Sequence, residues 1–170
     1  MQDIIDRANY INDKIGKFQV RFTLSPDLIQ KEPTAINRLN WNSIKFGPDE
    51  ILNIPEARGI YAFVVGNQSN TLPHHGYVMY VGITGLKPHR TLPVRYKEYL
   101  NDKKVLKRGD HIVRMLGVWY DVLRFYFAPV DPEFTFTQLS NLEKQINDAL
   151  LPPFSRGDIS GELKSMRNAF

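Results

Sequence analysis

The stretch Arg58–Gly85, RGIYAFVVGNQSNTLPHHGYVMYVGITG, decides how the chain folds. Two β-branched and aromatic runs, 58–66 and 76–84, flank a polar tip from Asn67 to His75. That pattern predicts a β-hairpin with an extended loop. Alternation puts Tyr61 on one face with Phe63 and Val65, and Tyr80 on one face with Val78. A strand tyrosine is most often a core residue whose hydroxyl reaches a polar rim. Two of them in one hairpin raise the question of a shared site for their hydroxyls.

Outward from the hairpin, residues 91–104, TLPVRYKEYLNDKK, predict a helix capped by Thr91 with Pro93 in its first turn. DHIVRMLGVWY predicts another helix. DVLRFYFAPV reads as a third strand ended by Pro129, and TFTQLSNLEKQINDALLPP as a helix stopped by Pro152-Pro153. The fold class expected is mixed α/β (α+β): a small three-stranded sheet flanked by helices. Upstream, Ile4, Ile5, Ala8, Ile11 and Ile15 recur at helical spacing. KFQVRFTL alternates like a half-buried strand, and SPDLIQK opens a short helix. Residues 1–54 are expected to form an N-terminal helical and strand extension packed on a main domain, 55–170.

Composition bounds the function. The 170 residues suit one domain. No run is long enough for a membrane span, and MQDIIDRANYINDK is too acidic and polar for a secretory signal. Cysteine is absent, which excludes disulfides, thiolate metal sites and cysteine nucleophiles. A cytoplasmic protein without a membrane partner is the expectation. Between 87 and 114, nine Lys/Arg face three acids. That surplus of six, on a chain of net charge +4, leaves the rest at −2. Such asymmetry points to a polyanion-facing side, with Lys87, Arg90, Lys97, Lys103, Lys104, Lys107 and Arg108 as candidate nucleic-acid contacts. The alternative is a solvated helix face.

Two further features carry chemistry. Glu143 lies beside the apolar stripe Leu139, Leu142, Ile146, Ala149 and Leu150, and a glutamate there needs a partner or a metal. Ser140-Asn-Leu-Glu143 also fits a capping box, which would account for it as a helix start. Arg95 and Tyr99 are four apart on one helix and share a face. Such an arginine can aim its fork at a phosphate or simply snorkel. His74-His75 read as a surface loop, and His111 as a surface or phosphate-contacting residue.

Taken in order, Gly59-Ile60-Tyr61, Tyr80-Val81-Gly82, Arg95-x-x-x-Tyr99, Glu143 and a proline-containing helix end resemble the GIY-YIG nuclease superfamily over about residues 58–156. The offsets Glu143…Pro152…Ser155 are similar to those of the nuclease domain of the bacterial excision-repair incision protein, where the last position is asparagine. Three departures stand out: Ser155 itself, Ile83 where several relatives carry lysine, and a nineteen-residue separation of Tyr61 and Tyr80. The resemblance implies an endonuclease hydrolysing DNA phosphodiester bonds with Mg²⁺ or Mn²⁺. Glu143 would be its metal ligand and Arg95 a second positive charge on the phosphate. Tyr61 would act as general base or as the group orienting the attacking water. Tyr80 and Tyr99 would orient water, phosphate or Tyr61, and Ser155 would take the asparagine's place. A restriction or defence role suits a compact domain with an extension, and the extension offers further DNA contacts or a homodimer surface. Two alternatives stay open: a catalytically impaired nucleic-acid-binding module, and a protein-interaction domain whose tyrosines are plain core.

Overall fold

The computed structural model describes residues 2–30, 39–67, 75–85, 89–155, 159–161, 163 and 165. Its centre is an antiparallel sheet ordered β1-β4-β2-β3, with β1 Asn42–Lys45, β2 Gly59–Asn67, β3 His75–Ile83 and β4 Leu123–Pro129. The hairpin expected from Arg58–Gly85 forms, and Asn67 and His75, expected in its tip, pair with each other in the strands; residues 68–74, with His74, lie outside the described residues. The sheet has four strands rather than three. The added strand, β1, comes from the segment assigned to the extension and pairs Asn42–Lys45 against Arg124–Phe127 of β4.

Helices cover both faces. On one, Tyr61, Phe63 and Phe125 pack with Leu92, Tyr96 and Tyr99 of α3 (Leu92–Tyr99) and with Ile112, Met115 and Trp119 of α5 (Asp110–Trp119). On the other, Ile60, Ala62, Val64 and Val81 pack with Leu139, Leu142 and Ile146 of α6 (Phe136–Leu150). The alternation of β2, with Tyr61 and Phe63 on one side and Ile60 and Ala62 on the other, is therefore buried twice. That explains its nearly unbroken apolar character.

Tyr80 does not share a face with Val78. The β2–β3 register slips between Phe63 and Val64, so Phe63 opposes Tyr80 while Val64 opposes Val78. Met79 is the extra residue of a bulge. It turns Tyr80 toward the Tyr61 face, while Val78 stays with α6.

Local capping overrides several expected boundaries. The helix foreseen over 91–104 breaks at Leu100, because Asn101 caps a separate turn, α4 Asp102–Val105, by accepting from the Lys104 backbone N–H at 3.0 Å. Thr91 occupies the N-cap position of α3, but its hydroxyl donates to Glu56 at 2.6 Å instead of capping the helix. The capping box of α6 is Thr135 with Gln138, not Ser140 with Glu143. Gln138 N–H donates to Thr135 Oγ1 at 3.2 Å, and Thr135 N–H to Gln138 Oε1 at 2.8 Å. Glu143 thus sits inside the helix, and capping does not account for it.

In the extension, α1 (Gln2–Lys14) and α2 (Pro26–Gln30) form as expected. The described members of the α1 stripe do not reach the core, however: Ile4 is 69% exposed, Ile5 46% and, just past the helix, Ile15 56%. KFQVRFTL makes a 3₁₀ turn at Gly16–Phe18 and then runs extended without joining a ladder. Its carbonyls at Lys17 and Gln19 accept from Arg114, while Val20 and Phe22 pack against the core. Of the alternating apolar residues, only these two are covered: Phe18 is 48% exposed and Leu24 76%.

Among the described residues, no helix is long and apolar enough to cross a membrane.

Candidate functional site

The hairpin and α3 bring three polar side chains from distant positions to one point. Arg95 Nε donates to the Tyr61 hydroxyl at 2.8 Å, and the Tyr61 and Tyr99 hydroxyls share a hydrogen bond at 2.8 Å. Tyr80 lies beside them, its ring 6.3 Å from that of Tyr61. The glycines of the two tripeptides make this possible. Gly82 stands directly opposite Tyr61 on β3, and a Cβ there would fall 2.5 Å from the Tyr61 hydroxyl and 2.9 Å from the Tyr80 ring. A Cβ at Gly59 would run into the Ala128 carbonyl of β4. Both sites need close backbone approach rather than an unusual backbone angle. Gly82→Ala should consequently cost about 1–3 kcal/mol in chemical denaturation by displacing the Tyr61 ring. A variant as stable as wild type would show that Tyr61 does not occupy this position.

Arg95 is held from both ends. Its Nη1 pairs with Glu98 at 2.8 Å, and its guanidinium lies over the Tyr99 ring at 5.2 Å. Arg90 and Arg108 reach the same Glu98 oxygen at 2.7 and 2.9 Å. Arg108 also stacks over Tyr99 at 4.4 Å. Three guanidiniums around one carboxylate leave a net positive cluster on the edge of the tyrosine site. Sequence reasoning gave Glu98 no role. The Arg95–Glu98 spacing of three on a helix is the signal that could have found it.

The electrostatics follow from burial. Tyr61 is fully buried. Desolvation, reinforced by Tyr99 and Tyr80, pushes its pKa well above the ordinary tyrosine value, and the Arg95 charge does not reverse this. In this state Tyr61 keeps its proton and acts as a hydrogen-bonding hydroxyl. Burial also works against the Arg95 charge, but Tyr61, Tyr99 and Glu98 outweigh it, so the guanidinium is held charged. For Glu98, burial raises the carboxyl pKa, while hydrogen bonds from Arg90 and Arg95 lower it further and win. A carboxyl depressed in the folded state contributes stability above its unfolded value of about 4.3, and loses it as pH falls through the folded value. Glu98→Gln should therefore melt lower than wild type at pH 7, and the gap should close on acidification. A gap independent of pH would argue against an ionised Glu98.

The other expected site residues are more dispersed. Lys97, Lys103, Lys104 and Lys107 are exposed on α3, α4 and the turn after it, whereas Arg90 and Arg108 are engaged with Glu98. Lys87 lies outside the described residues. Ser155 is fully buried. Its Oγ accepts from the Val81 N–H at 3.0 Å, and the neighbouring Phe154 N–H donates to Met79 O at 2.9 Å. This segment wraps the outer edge of β3, carrying the chain from the α6 face to the Tyr61 face, where Phe154 meets Trp119. It occupies an edge that would otherwise be open to pairing.

Glu143 is half-buried on α6, whose apolar stripe packs on the face opposite Tyr61. The glutamate and the tyrosines are thus carried by layers on opposite faces of the sheet. One turn along, Asn147 is fully buried, and neither end of its amide has a hydrogen-bond partner. Glu143 and Asn147 offer hard oxygen donors on one helix flank, a chemistry that fits Mg²⁺, which needs few protein ligands. Among the described residues, no group of three or more His, Asp or Glu is assembled to hold a metal.

The chain has no significant match among family models, curated proteins or solved structures.

Proposed function

We propose that this protein is a divalent-metal-dependent endonuclease acting on DNA phosphodiester bonds. The observation that carries the reading is the junction of Tyr61, Arg95 and Tyr99. These residues lie 34 and 38 positions apart from Tyr61 in the chain, yet meet through hydrogen bonds of 2.8 Å. They are the same residues that the resemblance to GIY-YIG nucleases selects.

In this reading Arg95 supplies fixed positive charge to a phosphate at the cluster. Its orientation is set in advance by Tyr61 and Glu98, which avoids reorganisation during the reaction. Arg90 and Arg108 extend the charge, and either can trade Glu98 for a phosphate oxygen. Tyr61 orients the attacking water and Tyr99 orients Tyr61. A divalent cation held by Glu143, with Asn147 beside it, would supply further positive charge to the phosphate oxygens. The exposed lysines of α3 and α4 draw in the backbone of the nucleic acid, sequence-independently.

A second reading, a nucleic-acid-binding module without turnover, is favoured by the complete burial of the Tyr61 hydroxyl. The deciding experiment incubates supercoiled and linear DNA with the protein in Mg²⁺, Mn²⁺ and EDTA. Nicking that EDTA abolishes is expected. DNA retained in a gel shift but left intact under every metal condition would select the binding module.

A further inference from the structure

Arg90, Arg95 and Arg108 all reach one atom, Glu98 Oε2, at 2.7, 2.8 and 2.9 Å. Three guanidiniums against one carboxylate leave a surplus of two positive charges around a single oxygen. The arginine side chains are only 38, 13 and 22% exposed, so their mutual repulsion is incompletely screened. Such a cluster is short of an anion. We propose that Glu98 is a gate: it holds Arg90 and Arg108 in place of a phosphate, and a backbone phosphate of the nucleic acid, beside the one at Arg95, displaces it. The choice of nucleic acid rests on the nuclease reading. The surplus of charge does not.

The anchoring of the three arginines divides them into two roles. Arg95 and Glu98 lie on the same helix, α3, and Arg95 keeps a second anchor at the Tyr61 hydroxyl. Arg90 precedes α3 and Arg108 follows α4, both outside helices and strands. Their hold on Glu98 can therefore break without unwinding an element. Arg108 would keep its seat over the Tyr99 ring, 4.4 Å away. Arg90 lies against Gly85 at the foot of the hairpin, where a Cβ would fall 2.5 Å from the Arg90 Cδ.

The donors of the cluster are also unspent. A guanidinium carries five N–H groups, and each arginine gives Glu98 one. The Arg90 Nε is buried without an acceptor among the described residues. A phosphate presents oxygens in several directions and accepts from guanidinium forks in pairs, which one oxygen shared three ways cannot do. A carboxylate from an acidic protein would only repeat what Glu98 already offers. The direction of the effect separates a gate from a brace. A carboxylate that braces the arginines for binding would weaken binding when neutralised. One that competes with the phosphate would strengthen it.

The test titrates a short DNA duplex with the full chain, without metal, across a range of salt. Glu98→Gln should bind roughly tenfold more tightly than wild type, although it melts lower at pH 7. In an Arg90→Gln/Arg108→Gln background the same substitution should gain almost nothing. Arg108→Gln alone should reduce the slope of log affinity on log salt by about 1, a result that needs no Glu98 variant to fold. Equal or weaker binding by a folded Glu98→Gln would overturn the gate. So would a gain that persists without the two arginines, or a salt slope unchanged by Arg108→Gln. Polyglutamate bound as tightly as the duplex would overturn the choice of phosphate. Inorganic phosphate that binds Glu98→Gln, with duplex affinity untouched by Arg108→Gln, would make the ligand a free phosphate and overturn the backbone assignment. A duplex bound as expected but left intact in Mg²⁺ would sink the nuclease reading and leave the gate standing. Mg²⁺-dependent cleavage with duplex affinity indifferent to Glu98 would do the reverse.

Discussion

Glu143→Gln is expected to lower metal-dependent DNA cleavage by roughly 10²-fold or more while the protein still folds. The substitution keeps the side chain's size and removes its charge. Glu143 is half-buried inside α6, and the capping box that starts that helix is made by Thr135 and Gln138. No helix cap is lost with the carboxylate. The measurement is single-turnover nicking of supercoiled plasmid across a Mg²⁺ titration. Full activity would separate Glu143 from the chemistry and leave the Tyr61 face as the whole site. The outcome matters because α6 packs on the other face of the sheet from Tyr61. Joint dependence of cleavage on Glu143 and Arg95 would mean that a phosphate bridges the two layers.

Tyr61→Phe should be nearly as damaging to cleavage, by roughly 10²-fold. It should also destabilise the fold. The hydroxyl removed accepts from a charged Arg95 and bonds Tyr99 in a fully buried position. Losing a hydrogen bond to a charged group costs about 1.5–3 kcal/mol. The pH profile of the wild-type rate then separates the two roles open to Tyr61. Its pKa is raised by burial above the ordinary value of about 10. A mechanism that needs the phenolate would speed up tenfold per pH unit from neutrality into the alkaline range. A mechanism in which the protonated hydroxyl only orients water would stay flat there. The structure favours the flat profile. A Tyr61→Phe protein with normal cleavage would make the cluster a packing feature.

The sequence by itself determined the local elements whose signals are short-range. The period-two alternation of β2, the aromatic run of β4, and the apolar stripe of α6 with its double-proline stop all required only neighbouring residues. The grouping of Tyr61, Tyr80, Arg95 and Tyr99 came from the resemblance to GIY-YIG nucleases, since each residue by itself read equally well as core or surface. Tertiary structure decided the rest. Asn42–Lys45 is too short to announce itself and becomes a strand because β4 offers an unpaired edge. KFQVRFTL has a strand's alternation but no ladder partner. The bulge at Met79 reverses which face Tyr80 joins, and a register slip leaves no mark in residue type. Glu98 was one acid in a basic run until folding brought Arg90, Arg95 and Arg108 to the same oxygen. Placement of Glu143 across the sheet from Tyr61 likewise depends on which face α6 covers. Sequence spacing sets the stripe of a helix, but only the packing of layers chooses the side of the sheet that buries it.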